Sequence, residues 1–313
     1  MTPILASLPS PSQNALEIGP LTIHFYGIMI AVGVIVAVLV AKRRYERFGG
    51  SGELVERVSI WAVAIGFLGA RLGYVITHTG DFIDRPWGVL FIWEGGLALY
   101  GGLTVGALTA VFLLRRWKGD AFAFGDAAAV GVPLAQAIGR WGNYFNQELF
   151  GTPSDLPWAV QIDPNIAAAA GYSGFTTFHP TFLYESLWNI FLTAGIILWL
   201  ERRGKLAKGS SIALYLIIYG AGRFLMELMR TDTTFRFLGL SRNGWISAGA
   251  VLFGIGLFWW MQRRAEARVL VGPSVFIAPG VQTIAATPID DDGPSDAGPE
   301  DPSGLSFGDG KGS

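Results

Sequence analysis

The sequence predicts an all-α fold, a polytopic integral membrane bundle of seven transmembrane helices, and three observations carry that prediction. Of 313 residues, 51% are hydrophobic and only 15% charged, whereas soluble domains carry roughly a quarter charged residues. Seven stretches stay mostly apolar for about 20 residues, the length a helix needs to cross a hydrocarbon core. The basic residues gather in every second connection between those stretches.

In order, residues 1–20 form an N-terminal segment and the first apolar run covers about 21–41. No basic residue precedes that run, and Lys42, Arg43, Arg44 and Arg47 follow it. A cleaved signal peptide has the opposite charge order, so the run reads as a retained first helix. The remaining runs fall at roughly 55–76, 97–114, 121–141, 180–200, 210–228 and 244–261. The second, third and fourth are rich in glycine and alanine, which suits helices packed tightly within a bundle. Together, residues 21–270 make up the transmembrane domain.

Between the fourth and fifth runs lies the longest connection, from about Gln147 to Phe178. Pro153, Asp155, Pro157, Asp163 and Pro164 break regular helix there, and the stretch holds no lysine or arginine. Its length beside a polar cluster suits a lid or docking arm. Beyond Val271 the chain turns to Gly, Pro, Ser and acid, including Asp290, Asp291, Asp292 and Glu300. Residues 271–313 read as a disordered acidic tail.

Orientation follows from the excess of Lys and Arg in cytoplasmic loops. After the first, third, fifth and seventh runs stand Lys42 to Arg57, then Arg115, Arg116 and Lys118, then Arg202, Arg203, Lys205 and Lys208, then Arg263, Arg264 and Arg268. The alternate connections hold only Arg85, Arg230, Arg236 and Arg242. The expected topology has the N-terminus outside and the C-terminus in the cytoplasm. The net charge of −1 sums a basic body and an acidic tail, and no nucleic-acid partner is expected.

The chain has no cysteine, which excludes disulfides, thiolate metal sites and an enzyme thiol nucleophile. Any thiol chemistry must use a thiol carried by a substrate. His24, His78 and His179 occur without HExxH or paired-Asp spacing, so no metal site is expected.

Polar residues interrupt the apolar runs in three places. In GRWGNYFNQELFG, Gly139 to Gly151, Arg140, Asn143, Asn146, Gln147 and Glu148 alternate with Trp141, Tyr144 and Phe145. Polar groups at membrane depth are functional candidates, and an interfacial loop with aromatic anchors is the alternative. In the sixth run Tyr219, Arg223, Glu227 and Arg230 are spaced four, four and three apart, which places them along one helix face. Two readings stay open: an i, i+4 salt bridge that fixes packing, or a guanidinium fork that grips a phosphate. Arg71, in GARLGY, is a third guanidinium within an apolar run. Three arginines facing one interior repel unless an anion or carboxylates sit among them, and Glu94, Glu148, Glu185 and Glu227 are available. At the start of the fifth run, HPTFLYE places Pro180 in a first helical turn. There His179 can cap the helix or act as a base, and Glu185 is positioned to pair with an arginine.

GRWGNYFNQELFG, HPTFLYE and YGAGRFLMELMR (Tyr219 to Arg230) together resemble the phosphatidylglycerol–prolipoprotein diacylglyceryl transferases of bacteria, and the similarity runs from Tyr26 in HFYGI through the seventh run. The resemblance implies a bacterial plasma-membrane enzyme of seven helices with its site towards the outer leaflet. Such enzymes move the diacylglyceryl group of phosphatidylglycerol to the lipobox cysteine of a prolipoprotein signal peptide, forming a thioether and releasing glycerol 1-phosphate. No metal or cofactor is implied. By position, Arg140, Asn143, Asn146 and Glu148 match the family's long motif, and Tyr219, Arg223, Glu227 and Arg230 match its sixth-helix motif. Tyr26, Arg71 and His179 match family positions as well. The implied catalytic set is Arg140, Arg223, Glu148, Glu227 and His179, with Tyr26, Arg71, Tyr100, Asn143, Asn146, Tyr219 and Arg230 binding substrate.

One departure stands out. Many members have histidine before the second Gly-Gly of the third-run motif, where LALYGG places Tyr100. A phenol with a pKa near 10 is a poor base at neutral pH, so Tyr100 is expected to hydrogen-bond the head group. Deprotonation of the thiol then falls to Glu148, Glu227 or His179. The rival class is a membrane carrier or channel for an anionic lipid or metabolite, which arginines in a bundle also mark. The lack of internal repeats counts against it.

Overall fold

The computed structural model describes residues 7–19, 21–91, 95–229 and 236–269. Glu94, Arg230 and the acidic tail, 271–313, lie outside the described residues. Long helices dominate: α1 Phe25–Arg47, α2 Gly52–Thr77, α3 Leu99–Arg116, α4 Ala121–Phe145, α8 Ser210–Met229 and α9 Arg242–Val269. A seventh, Thr181–Arg202, consists of α6 Thr181–Leu187, a π-helical stretch Trp188–Gly195 and α7 Ile196–Arg202. Six of these helices are long and apolar enough to cross a membrane. The remaining one, α3, is the shortest of the seven, ends on Arg115 and Arg116, and packs along α2. The chain is a multi-pass, all-α membrane protein.

Its packing is that of a protein in lipid. Leu108, Phe112, Leu252 and Phe253 are exposed on the helix surfaces, while Ala127, Ala129, Thr193, Ser210 and Ala213 are buried between them. Lipid is as apolar as leucine, so large side chains gain nothing by turning inward, and small residues let helix backbones approach. Where α1 crosses α4, a Cβ placed on Gly131 would lie 2.6 Å from the Ala37 carbonyl oxygen. Any side chain at 131 would push those helices apart.

Three elements depart from the sequence reading. The first helix starts at Phe25, because Leu21–His24 form β2, antiparallel to β1 Ala15–Ile18. Alternating Leu21-Thr22-Ile23-His24 after the left-handed Gly19 suits a hairpin arm better than a helix start. The fourth helix continues to Phe145, beyond the run that already held Arg140, and so places Asn143 on the same last turns. The long connection after it is folded. It contains β3 Val160–Gln161 paired with β4 Thr177–Phe178, and α5 Pro164–Ala169, which Pro164 begins and Asp163 caps through the Asn165 amide at 2.8 Å. Val160, Ile162, Ala167, Phe178 and Phe182 form its buried core, with Leu8, Tyr144 and Phe150 against them. Leu8 adds a further backbone link, exchanging 2.8 Å hydrogen bonds with Ala159 and Gln161.

The end of the bundle that carries the basic residues is tied by buried ions. Arg44, counted in sequence as a loop charge, is buried and donates two hydrogen bonds to Glu201, at 2.6 and 2.9 Å. It also donates to the carbonyls of Asp126 and Ala127. The Asp126 carboxylate accepts the amides of Gly209, Ser211 and Ile212 at 2.6, 2.9 and 3.2 Å. It therefore caps the start of α8 from α4, satisfying donors that a helix N-terminus leaves unpaired.

Candidate active site

At the opposite end of the bundle, the last turns of α4 bring together much of the Gly139–Gly151 motif. Arg140 and Asn143 are three residues apart on one helix face, and the Arg140 Nη1 donates to Asn143 Oδ1 at 3.3 Å. Asn143, itself buried, passes the link on by donating from Nδ2 to Glu148 Oε1 at 2.7 Å. The other arm of Arg140 forms an ion pair with the buried Glu185 of α6. Glu185 thus takes the arginine partner expected of it. Tyr26, on α1, lies against Gly142, where a Cβ would come within 2.6 Å of its ring. Its hydroxyl is within electrostatic range of both Glu148 and Arg140. Asn146 caps the C-terminal end of α4, its amide donating to Gly142 O at 3.0 Å.

The second half of that motif builds a turn. Gln147 and Leu149 both have left-handed φ, 50° and 56°, which non-glycine residues adopt only when their surroundings hold them. Gln147 Nε2 donates to Pro11 O at 3.2 Å, and its Oε1 accepts from Ser10 Oγ at 3.2 Å and Asp163 N at 2.7 Å. Leu149 O accepts the Thr181 hydroxyl. Gln147 is therefore a clamp between the N-terminal segment and the folded connection.

The helix face read from spacing is present on α8. Arg223 Nη2 lies 2.8 Å from Glu227 Oε2 as an i, i+4 pair, close in distance but misaligned for a hydrogen bond, since Oε2 makes none among the described residues. Arg223 Nη1 is buried and also has no hydrogen-bond partner among the described residues. Tyr219, one turn earlier, stacks on Tyr215 with ring centroids 5.4 Å apart. Its phenol is within electrostatic range of Arg140, Glu185, Arg223 and Tyr100, so the two ion pairs share one neighbourhood. Tyr100, on α3, donates to Asn243 Oδ1 at 2.7 Å and lies within range of Arg223 and Glu227. Tyr100 therefore faces the same charges as Tyr219.

Two expected members stand apart from this cluster. Arg71 is buried and its guanidinium donates to main-chain carbonyls: Val89 at 3.0 Å, Gly95 at 2.5 Å, Gly96 at 3.1 Å and Gly88 at 2.5 Å. Those contacts organise the α2–α3 connection. His179 exchanges backbone hydrogen bonds with Gly151 and Thr152, both at 3.0 Å. Its Nδ1 lies 3.2 Å from the Tyr184 hydroxyl, whereas the site arginines pair with Glu185 and Glu227. Nor does it cap α6 through its side chain; the cap position is Pro180.

Sequence reasoning missed Ser241 and Asn243, which meet the site from the start of α9. Ser241 Oγ donates to Glu227 Oε1 at 2.6 Å and accepts the Gly244 amide at 3.0 Å. A serine just before an apolar run is a helix-start signal, which could have located Ser241. Asn243 carries no comparable signal.

A family model described as prolipoprotein diacylglyceryl transferase matches residues 13–260. Proteins named phosphatidylglycerol–prolipoprotein diacylglyceryl transferase are similar over most of their length. One from Paenarthrobacter aurescens (strain TC1) is 42% identical over 272 residues, covering 83% of this chain and 85% of that protein. Two come from Streptomyces coelicolor (strain ATCC BAA-471 / A3(2) / M145). The one numbered 2 is 45% identical over 246 residues, 78% of this chain and 77% of that protein. The one numbered 1 is 42% identical over 284 residues, 90% and 80% respectively. With the motif residues gathered at one end of a membrane bundle and a family match along most of the chain, the protein belongs to the prolipoprotein diacylglyceryl transferase family.

Proposed function

We propose that the chain is a transferase that moves the diacylglyceryl group of phosphatidylglycerol to the lipobox cysteine thiol of a prolipoprotein signal peptide. The observation that carries the substrate site is the buried Nη1 of Arg223, without a hydrogen-bond partner among the described residues, in the neighbourhood that Tyr219 shares with the Arg140–Glu185 pair. A buried donor without an acceptor is costly, and a lipid phosphate is an acceptor that would relieve it. Arg140 and Arg223 hold that phosphate, while Tyr26, Asn143, Asn146, Tyr219 and Tyr100 line the head-group region. Arg230 is assigned there on its place in the motif, and Arg71 contributes by holding the adjoining connection.

In the reaction the cysteine sulfur attacks the glycerol carbon that bears the phosphate. A C–S bond forms, the C–O bond breaks, and its electron pair leaves on the phosphate oxygen of glycerol 1-phosphate. The leaving group gains negative charge, which preorganised guanidinium groups stabilise strongly where water is scarce. The same positive field favours the thiolate. The thiol proton goes to a carboxylate, and Glu148 is the best placed of the three candidates. It is exposed and accepts one amide hydrogen from Asn143, whereas Glu227 is engaged by Ser241 and Arg223. His179 is turned towards Tyr184.

The site end faces outward and the basic helix ends lie in the cytoplasm, in keeping with the charge bias of the connections. The deciding experiment mixes purified protein, phosphatidylglycerol and a lipobox peptide. Glycerol phosphate is expected to appear with the cysteine peptide and not with its Cys-to-Ser counterpart. Movement of intact lipid with no released glycerol phosphate would instead identify a carrier.

A further inference from the structure

Arg223 and Glu227 are one helical turn apart, and an unrestrained carboxylate in that position can rotate to accept from both terminal nitrogens of the guanidinium. Here it does not. Ser241 holds Glu227 Oε1 at 2.6 Å, leaving Oε2 near Nη2 and Nη1 without a partner among the described residues. A serine hydroxyl has one hydrogen and two lone pairs. The Gly244 amide takes a lone pair at 3.0 Å, so the hydroxyl hydrogen is directed at Glu227. Two residues on, Asn243 accepts the only hydrogen of the Tyr100 hydroxyl, so the phenol oxygen presents only lone pairs to a neighbouring donor.

We propose that Ser241 and Asn243 are positioning residues for the lipid head group. Ser241 holds Glu227 back so that Arg223 keeps an open N–H for the phosphate, and Asn243 sets Tyr100 as an acceptor for a head-group glycerol hydroxyl. Ser241 immediately precedes α9 and Asn243 lies in its first turn, so the start of that helix places groups from α3 and α8 around one ligand. This inference rests on the reading of Arg223 as a phosphate ligand.

The test is equilibrium binding of phosphatidylglycerol to the purified full-length chain by native mass spectrometry, paired with kinetics of peptide lipidation. Ser241→Ala is expected to weaken phosphatidylglycerol about ten- to a hundred-fold, the scale of a lost hydrogen bond to a charged group. The KM for the peptide should stay unchanged, and Ser241→Thr should restore lipid binding. Asn243→Ala is expected to narrow the preference for phosphatidylglycerol over phosphatidic acid, which lacks the head-group hydroxyls; this arm stands even where Ser241→Ala does not fold. Wild-type lipid affinity in Ser241→Ala with an unchanged preference in Asn243→Ala overturns the proposal. Arg223→Ala separates the two levels: if it loses lipid while Ser241→Ala does not, only the positioning role fails. If Arg223→Ala also binds normally, the phosphate site itself is wrong.

Discussion

Arg140 and Arg223 reach their carboxylates by different routes, and the difference sets what each can offer a ligand. Arg140 is held across helices by Glu185 and along its own helix by Asn143, so its fork is engaged and rigid. Among the described residues Arg223 pairs with Glu227 of its own helix, α8, and keeps one terminal nitrogen open. Replacing Arg223 by lysine retains the charge but loses the planar fork. Transfer is expected to fall about 10²- to 10³-fold, the scale of removing one preorganised donor, with the melting temperature near that of the wild type. Glu148→Gln should lower the rate by about 10²-fold or more, as loss of a general base does; a rate near that of the wild type would mean that another residue takes the proton. Tyr100→Phe removes one neutral hydrogen bond and is expected to slow transfer about three- to ten-fold; full activity would take Tyr100 out of the mechanism. The arginines and their carboxylates were legible in the sequence because charge in an apolar run demands a reason. Ser241 and Asn243 were not, because a hydroxyl and an amide near a helix end are ordinary until the fold shows what they touch.

Among the elements, α4 bears the most on the site, since its last turns carry Arg140 and Asn143 and its first residue is fixed at the basic end. Asp120 caps it, accepting from the Phe122 and Ala123 amides at 3.0 Å and pairing with Lys208. Burial pushes the Asp120 carboxyl upward, but the Lys208 hydrogen bond and the two amides outweigh it and hold its pKa below the usual value. A carboxyl depressed on folding stabilises the protein above its unfolded pKa of about 3.9 and loses that contribution as pH falls through the folded value. Thermal melts of Asp120→Ala should therefore be lower than wild type at neutral pH, by about 0.5–2 kcal/mol of cap energy. The two should converge below about pH 4. At the other end Gly142→Val would drive a side chain into Tyr26 and is expected to cost about 1–3 kcal/mol, as overpacking does. Six of the seven helices are readable from apolar length, and α3 from an apolar run that ends on Arg115 and Arg116. The start at Phe25 and the folded connection were not, because a short hairpin and a small cap draw their stability from contacts with distant segments such as Leu8.

For the whole molecule, orientation is the most direct thing to measure, and a chain without cysteine needs no background removed. A cysteine at exposed Ser173, in the folded connection, should react with a membrane-impermeant maleimide in intact cells, and one at exposed Lys118 should not. The reverse pattern would invert the topology. The two ends of the bundle are also connected mechanically. One helix, Thr181–Arg202, carries Glu185 to Arg140 at the site and Glu201 to Arg44 at the basic end, with the π-helical stretch Trp188–Gly195 between them. A π turn accommodates extra residues relative to an α-helix, so this stretch fixes the rotational phase between two carboxylates that must each meet an arginine. Deleting a single residue within it would turn one end against the other by about 100°, one residue's share of an α-helical turn. Both ion pairs could then not form at once. The wide turn acts as a phase coupler, and the site's geometry depends on a count of residues made in the middle of the membrane.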